Sequence, residues 1–332
     1  MSHITLAHGN GGRLMRQLIE EVFRAELGHS ALDTQVDAAS LPAMNGELMM
    51  SVDSFTVNPL EFPGGNIGSL AIHGTVNDLA VSGAIPHFLS LSAIIEEGLE
   101  LATLQRIIHS MAKAARAAEV QIVCGDTKVV PRGEGSGVYL TTTGIGVRHE
   151  NLHLGLPKIK DGDLILVSGP VGDHGAAVML AREQFGLKGD LQSDANNVLA
   201  LCRSLYDLAG LRFMRDPTRG GLATVLHEIQ HATGLGIRIR QADIPIHETV
   251  QSVCEILGYD PLFLACEGRV VAIVEQSQAH EALARWHDLE NGREARIIGS
   301  ITSTLPLVVL ETDLGGERIL PELEDDPLPR IC

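Results

Sequence analysis

Aromatic side chains are scarce, at 3% of the 332 residues, with a single tryptophan. A core must then be filled by Ala, Val, Ile and Leu. The 35 glycines imply many tight turns and close backbone approaches. Basic residues are in deficit: 25 Lys and Arg against 42 Asp and Glu leave a formal charge of −17. That balance argues against nucleic acid held by a basic footprint. It does not argue against a nucleotide, because Mg²⁺ can bridge carboxylates to phosphates. No apolar run approaches the ~18 residues of a membrane span. Met1-Ser2-His3-Ile4-Thr5 shows no basic stretch leading into an apolar one, so no secretory leader is expected. The five cysteines (Cys124, Cys202, Cys254, Cys266 and Cys332) are odd in number, scattered and without a C-x-x-C pair. A disulfide framework and a structural zinc site are therefore not expected. A reducing cytoplasm fits best.

Hydrophobic residues make up 45% of the chain and charged residues 20%, as in an ordinary globular protein. The length suggests roughly two domains. Apolar periodicity predicts a helix at 12–27, a strand at 48–57 and a turn at 63–66 leading into a helix at 67–82. A strand at 87–95, a helix at 101–118 and strands at 120–124 and 137–147 follow, the last two joined by a glycine-rich loop. A break falls at 149–162. Beyond it, strands are expected at 163–168, 236–240, 269–275, 295–299 and 306–310, and helices at 175–186, 195–209, 219–232, 246–257 and 277–288. The fold class is α+β, with domains at 1–150 and 151–320 and an extended tail at 321–332. The tail carries four acids and three prolines. At ~3.3 Å per residue it could reach about 40 Å.

The chain ends Pro327-Leu328-Pro329-Arg330-Ile331-Cys332. A thiol at the tip of such a tail suits a swinging nucleophile or carrier, or is incidental. Prenylation is excluded, because it needs the cysteine four residues from the end. Acids stand beside turns and strand ends at Asp37, Asp53, Asp78, Asp126 and Asp216. They are potential ligands for a hard cation, or helix caps and ion-pair partners. His8-Gly9-Asn10-Gly11-Gly12 precedes a helix and reads either as an anion cradle or as a tight turn. It is not a Walker A sequence. His73 and Asn77 share a helix face. Glu267, between apolar runs, is a turn acid or a base with a raised pKa.

Several segments together resemble one family along nearly the whole chain. They are Asp37-Ala38-Ala39, Asp53-Ser54, Phe62-Pro63-Gly64-Gly65-Asn66-Ile67-Gly68, Gly74-Thr75-Val76-Asn77-Asp78-Leu79 and Gly125-Asp126-Thr127-Lys128. Gly172-Asp173-His174-Gly175, Asp216-Pro217-Thr218-Arg219-Gly220-Gly221 and Pro329-Arg330-Ile331-Cys332 complete the set. They resemble the HypE family of hydrogenase maturation factors. These are ATP-dependent carbamoyl dehydratases within the superfamily of aminoimidazole ribonucleotide synthetase, selenophosphate synthetase and thiamine-monophosphate kinase. The interior motifs mark the superfamily and the terminal Pro-Arg-Ile-Cys marks HypE. Cys124 stands where glycine is common in the superfamily, and no cysteine lies near His8, where selenophosphate synthetases carry a reactive one.

The resemblance implies a two-domain fold and a homodimer whose N-terminal mixed sheets form a shared barrel, with a C-terminal α/β domain behind it. It implies that Cys332 carries a carbamoyl group received from the carbamoyltransferase HypF. ATP-dependent dehydration then gives a protein thiocyanate, whose cyanide passes to the iron-carrying HypC–HypD complex for nickel–iron hydrogenase. Glu267 would be the base and Lys128 the cation on the activated oxygen. ATP would meet Gly11, Gly12, Asn66, Ile67, Asn77, Asp126 and Thr127, with Mg²⁺ on Asp37, Asp53, Asp78 and Asp216. Two rival readings stay open: a relative acting on a free small molecule, and a nucleotide-binding scaffold without turnover.

Overall fold

The computed structural model describes residues 2–28, 32–34, 36–150, 152–182 and 190–323. The expected tail residues 324–332, Cys332 among them, lie outside that set. Strands β1 (Leu48–Phe55), the short pair β2 (Glu61–Phe62) and β3 (Gly65–Asn66), and the long β4 (Ala84–Glu96), β5 (Gln121–Val130) and β6 (Val138–Arg148) make up the first half. The four long ones form one sheet in the order β1-β6-β4-β5. It is mixed: β4 and β5 run parallel, and the other neighbours are antiparallel.

The helix Ile67–Val81 lies on one face of this sheet. Asn66 starts it, its side-chain Oδ1 accepting from the Gly68 and Ser69 N–H groups at 2.9 and 3.2 Å. Apolar residues cover it all round and nearly every side chain is buried, as a helix between two layers requires. Gly68 permits the close crossing of the helix Leu101–Ala117, since a Cβ there would sit 2.2 Å from the Ile107 carbonyl oxygen. That second helix is amphipathic and buries Leu104, Ile107, Ile108 and Met111.

The second half holds β7 (Leu164–Val167), β8 (Leu211–Arg215), β9 (Gly236–Arg240), β10 (Val271–Val274), β11 (Arg296–Thr302), β12 (Val308–Glu311) and β13 (Glu317–Ile319). They form a seven-stranded sheet in the order β13-β12-β9-β11-β7-β10-β8. Only β9 and β12 run parallel. Residues Ile165, Val167, Val271 and Ile273 face the helix Gly221–Thr233, while Leu166, Ala272 and Val274 face Trp286 and Tyr206. Strands buried on both faces explain the continuous apolar runs in β7 and β10. The halves are packed together: Ile67, Leu70 and Ala71 share one apolar cluster with Ala176–Met179, Val250 and Leu264. The Tyr206 hydroxyl donates to the Ala80 carbonyl at 2.7 Å.

Three local differences from the sequence reading matter for the site. Strand β5 does not stop at residue 124. Parallel pairing with β4, Ser92 opposite Asp126, keeps Gly125-Asp126-Thr127-Lys128 extended despite its turn-like composition. Strand β8, not expected, delivers Asp216 from a sheet edge. The helix expected at 195–209 is confined to Leu199–Arg203, because the Asn196 carbonyl and the Val198 N–H are bonded to the Asn77 side chain instead of within a helix.

Candidate active site

Four acids converge where β1, the Ile67–Val81 helix, the end of β8 and the approach to β10 meet. Asp53 projects from β1 on the same face as Ser51, whose hydroxyl donates to Asp78 Oδ2 at 2.6 Å. Asp78 stands near the end of the helix, and with Asp216 and Thr218 it lines a cavity of about 280 Å³. Asp216 and Glu267 are buried. The Arg219 guanidinium reaches Asp53 Oδ1 at 3.4 Å.

Burial, and then neighbouring acid charges, raise the pKa of Asp53, Asp216 and Glu267. Burial, and then the Asp78 charge, push Asp216 up to about 7. Burial, followed by the charges of Asp216, Asp194 and Asp53, holds Glu267 well above the carboxylate range. Asp53 is raised by burial, with Asp78 adding to it and the Ser54 N–H and Arg219 opposing. A cluster of two buried and two half-buried carboxylates with one exposed arginine beside it has the donor chemistry of a hard divalent cation.

The backbone of Glu267 is held from two sides. Asn77 Nδ2 donates to the carbonyls of Asn196 at 3.0 Å and Glu267 at 3.2 Å, and its Oδ1 accepts from the Val198 N–H at 2.9 Å. Asp194 accepts from the N–H groups of Glu267 at 3.2 Å and Gly268 at 3.3 Å. Arg269 pairs with that Asp194 at 3.4 Å and with Asp173 at 3.3 Å. Sequence reasoning missed Asp194 and Arg269, whose partners lie far apart in the chain. Behind them, His73 and His174 each leave one buried ring nitrogen without a hydrogen-bond partner among the described residues. Burial pushes both imidazoles down to about 4, so they are neutral at physiological pH.

The remaining expected residues fall elsewhere within the chain. Asp53 pairs across β6 with Thr142, then Leu91 on β4 and Gly125 on β5. Asp126 and Lys128 occupy alternate positions, so they project from the opposite face of the sheet. They pair with each other at 3.7 Å and are exposed. Asp37, Asp126 and Thr127 line a second cavity of about 350 Å³ with Met15 and Phe23. Thr127 is buried there with its hydroxyl unpartnered among the described residues. One chain therefore does not bring Asp37 to the other metal-ligand candidates, nor Lys128 to Glu267. Asn66 and Asn77, expected at the nucleotide, spend Oδ1 on a helix cap and the whole amide on the Glu267 support. Ile67 is fully buried. Gly11 and Gly12 sit in open space before the short helix Arg13–Leu18.

The two sheets and the acidic cleft define an AIR synthase related protein. The N-terminal domain of that family matches residues 35–148 and its C-terminal domain residues 160–309. The similarity is much closer to one branch. Carbamoyl dehydratase HypE of Escherichia coli K12 is 44% identical over 337 residues, covering 100% of each chain. A crystal structure of hydrogenase maturation protein HypE in complex with ATP superposes with a TM-score of 0.93 at 42% identity, over 98% of this chain and 99% of that one. HypE in a HypE–HypF complex superposes at 0.81 with 44% identity, covering 92% and 99%. The chain belongs to the HypE carbamoyl dehydratase family.

Proposed function

We propose the following reaction and division of labour. The protein is an ATP-dependent carbamoyl dehydratase of hydrogenase maturation. Its substrate is a thiocarbamate, S–C(=O)–NH₂, carried on Cys332. Oxide is a poor leaving group, so the γ-phosphoryl group of ATP is transferred to the carbamoyl oxygen. The C–O bond then breaks, phosphate departs, and loss of both N–H protons leaves S–C≡N on the sulfur. The buried acid cluster around Glu267 carries this reading.

Glu267 takes the amide proton. Its raised pKa makes it a strong base once ionised, and Asn77 and Asp194 hold it in place. Asp53, Asp78 and Asp216 would hold Mg²⁺, which would neutralise phosphate charge and the acid charges that, after burial, keep the Glu267 proton on. The low-dielectric surroundings exclude water from the activated intermediate.

A second copy completes the site. Leu48, Met50 and Val52 on the open face of β1 are 58%, 74% and 62% exposed, an apolar stripe that a partner sheet would cover in a shared barrel. Asp37, Asp126, Thr127 and Lys128, with the Gly11–Gly12 loop, would then serve ATP and the activated oxygen from the other copy. HypF is the expected carbamoyl donor and HypC–HypD the cyanide acceptor, in the cytoplasm. The test is the intact mass of the protein after incubation with carbamoyl phosphate, ATP and HypF. Addition of a carbamoyl group and then loss of water, both mapped to Cys332 and both absent in Cys332→Ala, is the expected result. Turnover in Cys332→Ala would sink the reading.

A further inference from the structure

The helix Gly221–Thr233 carries His227-Glu228-Ile229-Gln230-His231. Two histidines four apart share one helix face and can chelate one ion. A third potential ligand arrives from the far end of the chain. One ligand atom from each of His227, His231 and Glu322 lies within 4.8 Å of the others. His231 Nε2 is 3.6 Å from Glu322 Oε2. The two imidazole centroids are 6.1 Å apart. His227 is buried, and its Nε2 stands 3.1 Å from the Pro321 carbonyl oxygen, so the segment leading to Glu322 is seated on the helix.

We infer that His227, His231 and Glu322 form a site for a divalent transition metal of the zinc type, which ties the root of the C-terminal segment to the second domain. Two imidazole nitrogens and one carboxylate oxygen suit Zn²⁺, Co²⁺ or Ni²⁺ and do not suit Mg²⁺, which prefers oxygen ligands throughout. A fourth position is left for water.

The role is an anchor and not hydrolysis. In a metallopeptidase the glutamate of this motif activates the metal-bound water. Here Glu228 is paired with Arg215 at 3.3 Å, beside Asp216. The competing explanation is a plain surface ion pair between His231 and Glu322, which needs no metal. In that explanation the buried His227 serves only the Pro321 carbonyl, whereas its proximity to both His231 and Glu322 gives the three residues the ligand set of one ion. The residues beyond Glu322 end in Cys332. Metal on the site would therefore set the point from which the thiol is carried.

The probe is Co²⁺ added to the full-length chain with Cys332→Ser, which removes the terminal thiol as a rival ligand. Cobalt bands in the visible distinguish nitrogen and oxygen ligation from thiolate ligation. The expected result is one Co²⁺ per chain with nitrogen and oxygen bands, displaced by Zn²⁺. His231→Ala and Glu322→Gln, both at exposed positions, should each weaken binding by about 10-fold or more. Magnesium in excess should not compete. Equal affinity in both variants, thiolate-type bands, or no bound cobalt in the parent chain would overturn the proposal. A melting curve on each variant confirms that loss of metal is not loss of fold.

Discussion

The side-chain amide of Asn77 donates to the main-chain carbonyl of Glu267 at 3.2 Å, joining the central helix of the first half to the loop that carries the proposed base. The same amide holds Asn196 and Val198, so three backbone groups from two segments depend on one side chain. In the proposed mechanism Asn77 is a positioning residue for Glu267. Replacing it with Ala leaves those groups buried without a partner and should cost about 2–4 kcal/mol of stability. Misplacement of Glu267 should lower the dehydration rate by about 100-fold, with ATP affinity little changed. Calorimetry, melting curves and single-turnover mass spectrometry separate these effects. Loss of ATP affinity at an unchanged melting temperature would assign Asn77 to the nucleotide instead.

Glu267→Gln keeps shape and backbone contacts and removes the base. The variant should accept a carbamoyl group on Cys332, bind ATP normally and fail to lose water. The accumulated species is the thiocarbamate, readable by intact mass. Rapid conversion to thiocyanate would pass the role to Lys128 or to a water held by the aspartates.

Asp216 gives the cluster a pH signature. Its pKa rises from 3.8 to about 7 on folding, so the folded state binds its proton more tightly than the unfolded state does. Its burial carries no electrostatic penalty below the unfolded value. A penalty then grows as the pH rises from 3.8 and is fully developed above about 7. Without divalent cations, Asp216→Asn should melt a few degrees higher than the parent at about pH 8, and equally at about pH 4. With Mg²⁺ and ATP the order at the higher pH should reverse, because the variant lacks one of the proposed cation ligands. Identical cation-free melting profiles across this range would contradict the shift.

Met50 lies at the centre of the exposed stripe on β1. Met50→Asp should leave each chain folded, since the side chain touches little in its own subunit, yet place a charge where the second sheet would pack. Light scattering should report monomer, and ATP affinity should fall with it. A dimeric variant, or a monomer with full ATP affinity, would show that the site is complete in one copy.

The thiols bear on which cysteine carries the substrate. Cys202, Cys254 and Cys266 are buried, and burial raises each of them, Cys254 to about 12. Such thiols are poor nucleophiles near neutrality. Cys124 is only half-buried, so burial does not set it aside; it is the family-type ending Pro329-Arg330-Ile331-Cys332 that points to the terminal thiol.

Long periodic segments were legible from residue order because their signal is local. The Ile67–Val81 and Leu101–Ala117 helices and strands β9 to β12 lie close to where the apolar spacing places them. The family motifs likewise marked Asp53, Asp78 and Asp216 as chemistry, and Glu267 stood out as an acid between apolar runs. Folding decided how those acids are grouped. Strand pleating put Asp126 and Lys128 on the face away from Asp53, and only the pairing of β5 with β4 determines that register. Asn77 reads as a residue meeting ATP, and only folding brings residues 196, 198 and 267 within hydrogen-bonding reach of it. Asp194 and Arg269 carry no motif at all. Their roles are long-range pairings between segments some 75 positions apart. Residue spacing records what a helix or strand does with its own neighbours. It carries no record of which distant backbone groups a buried side chain must satisfy, and the supports of this site are made of such contacts.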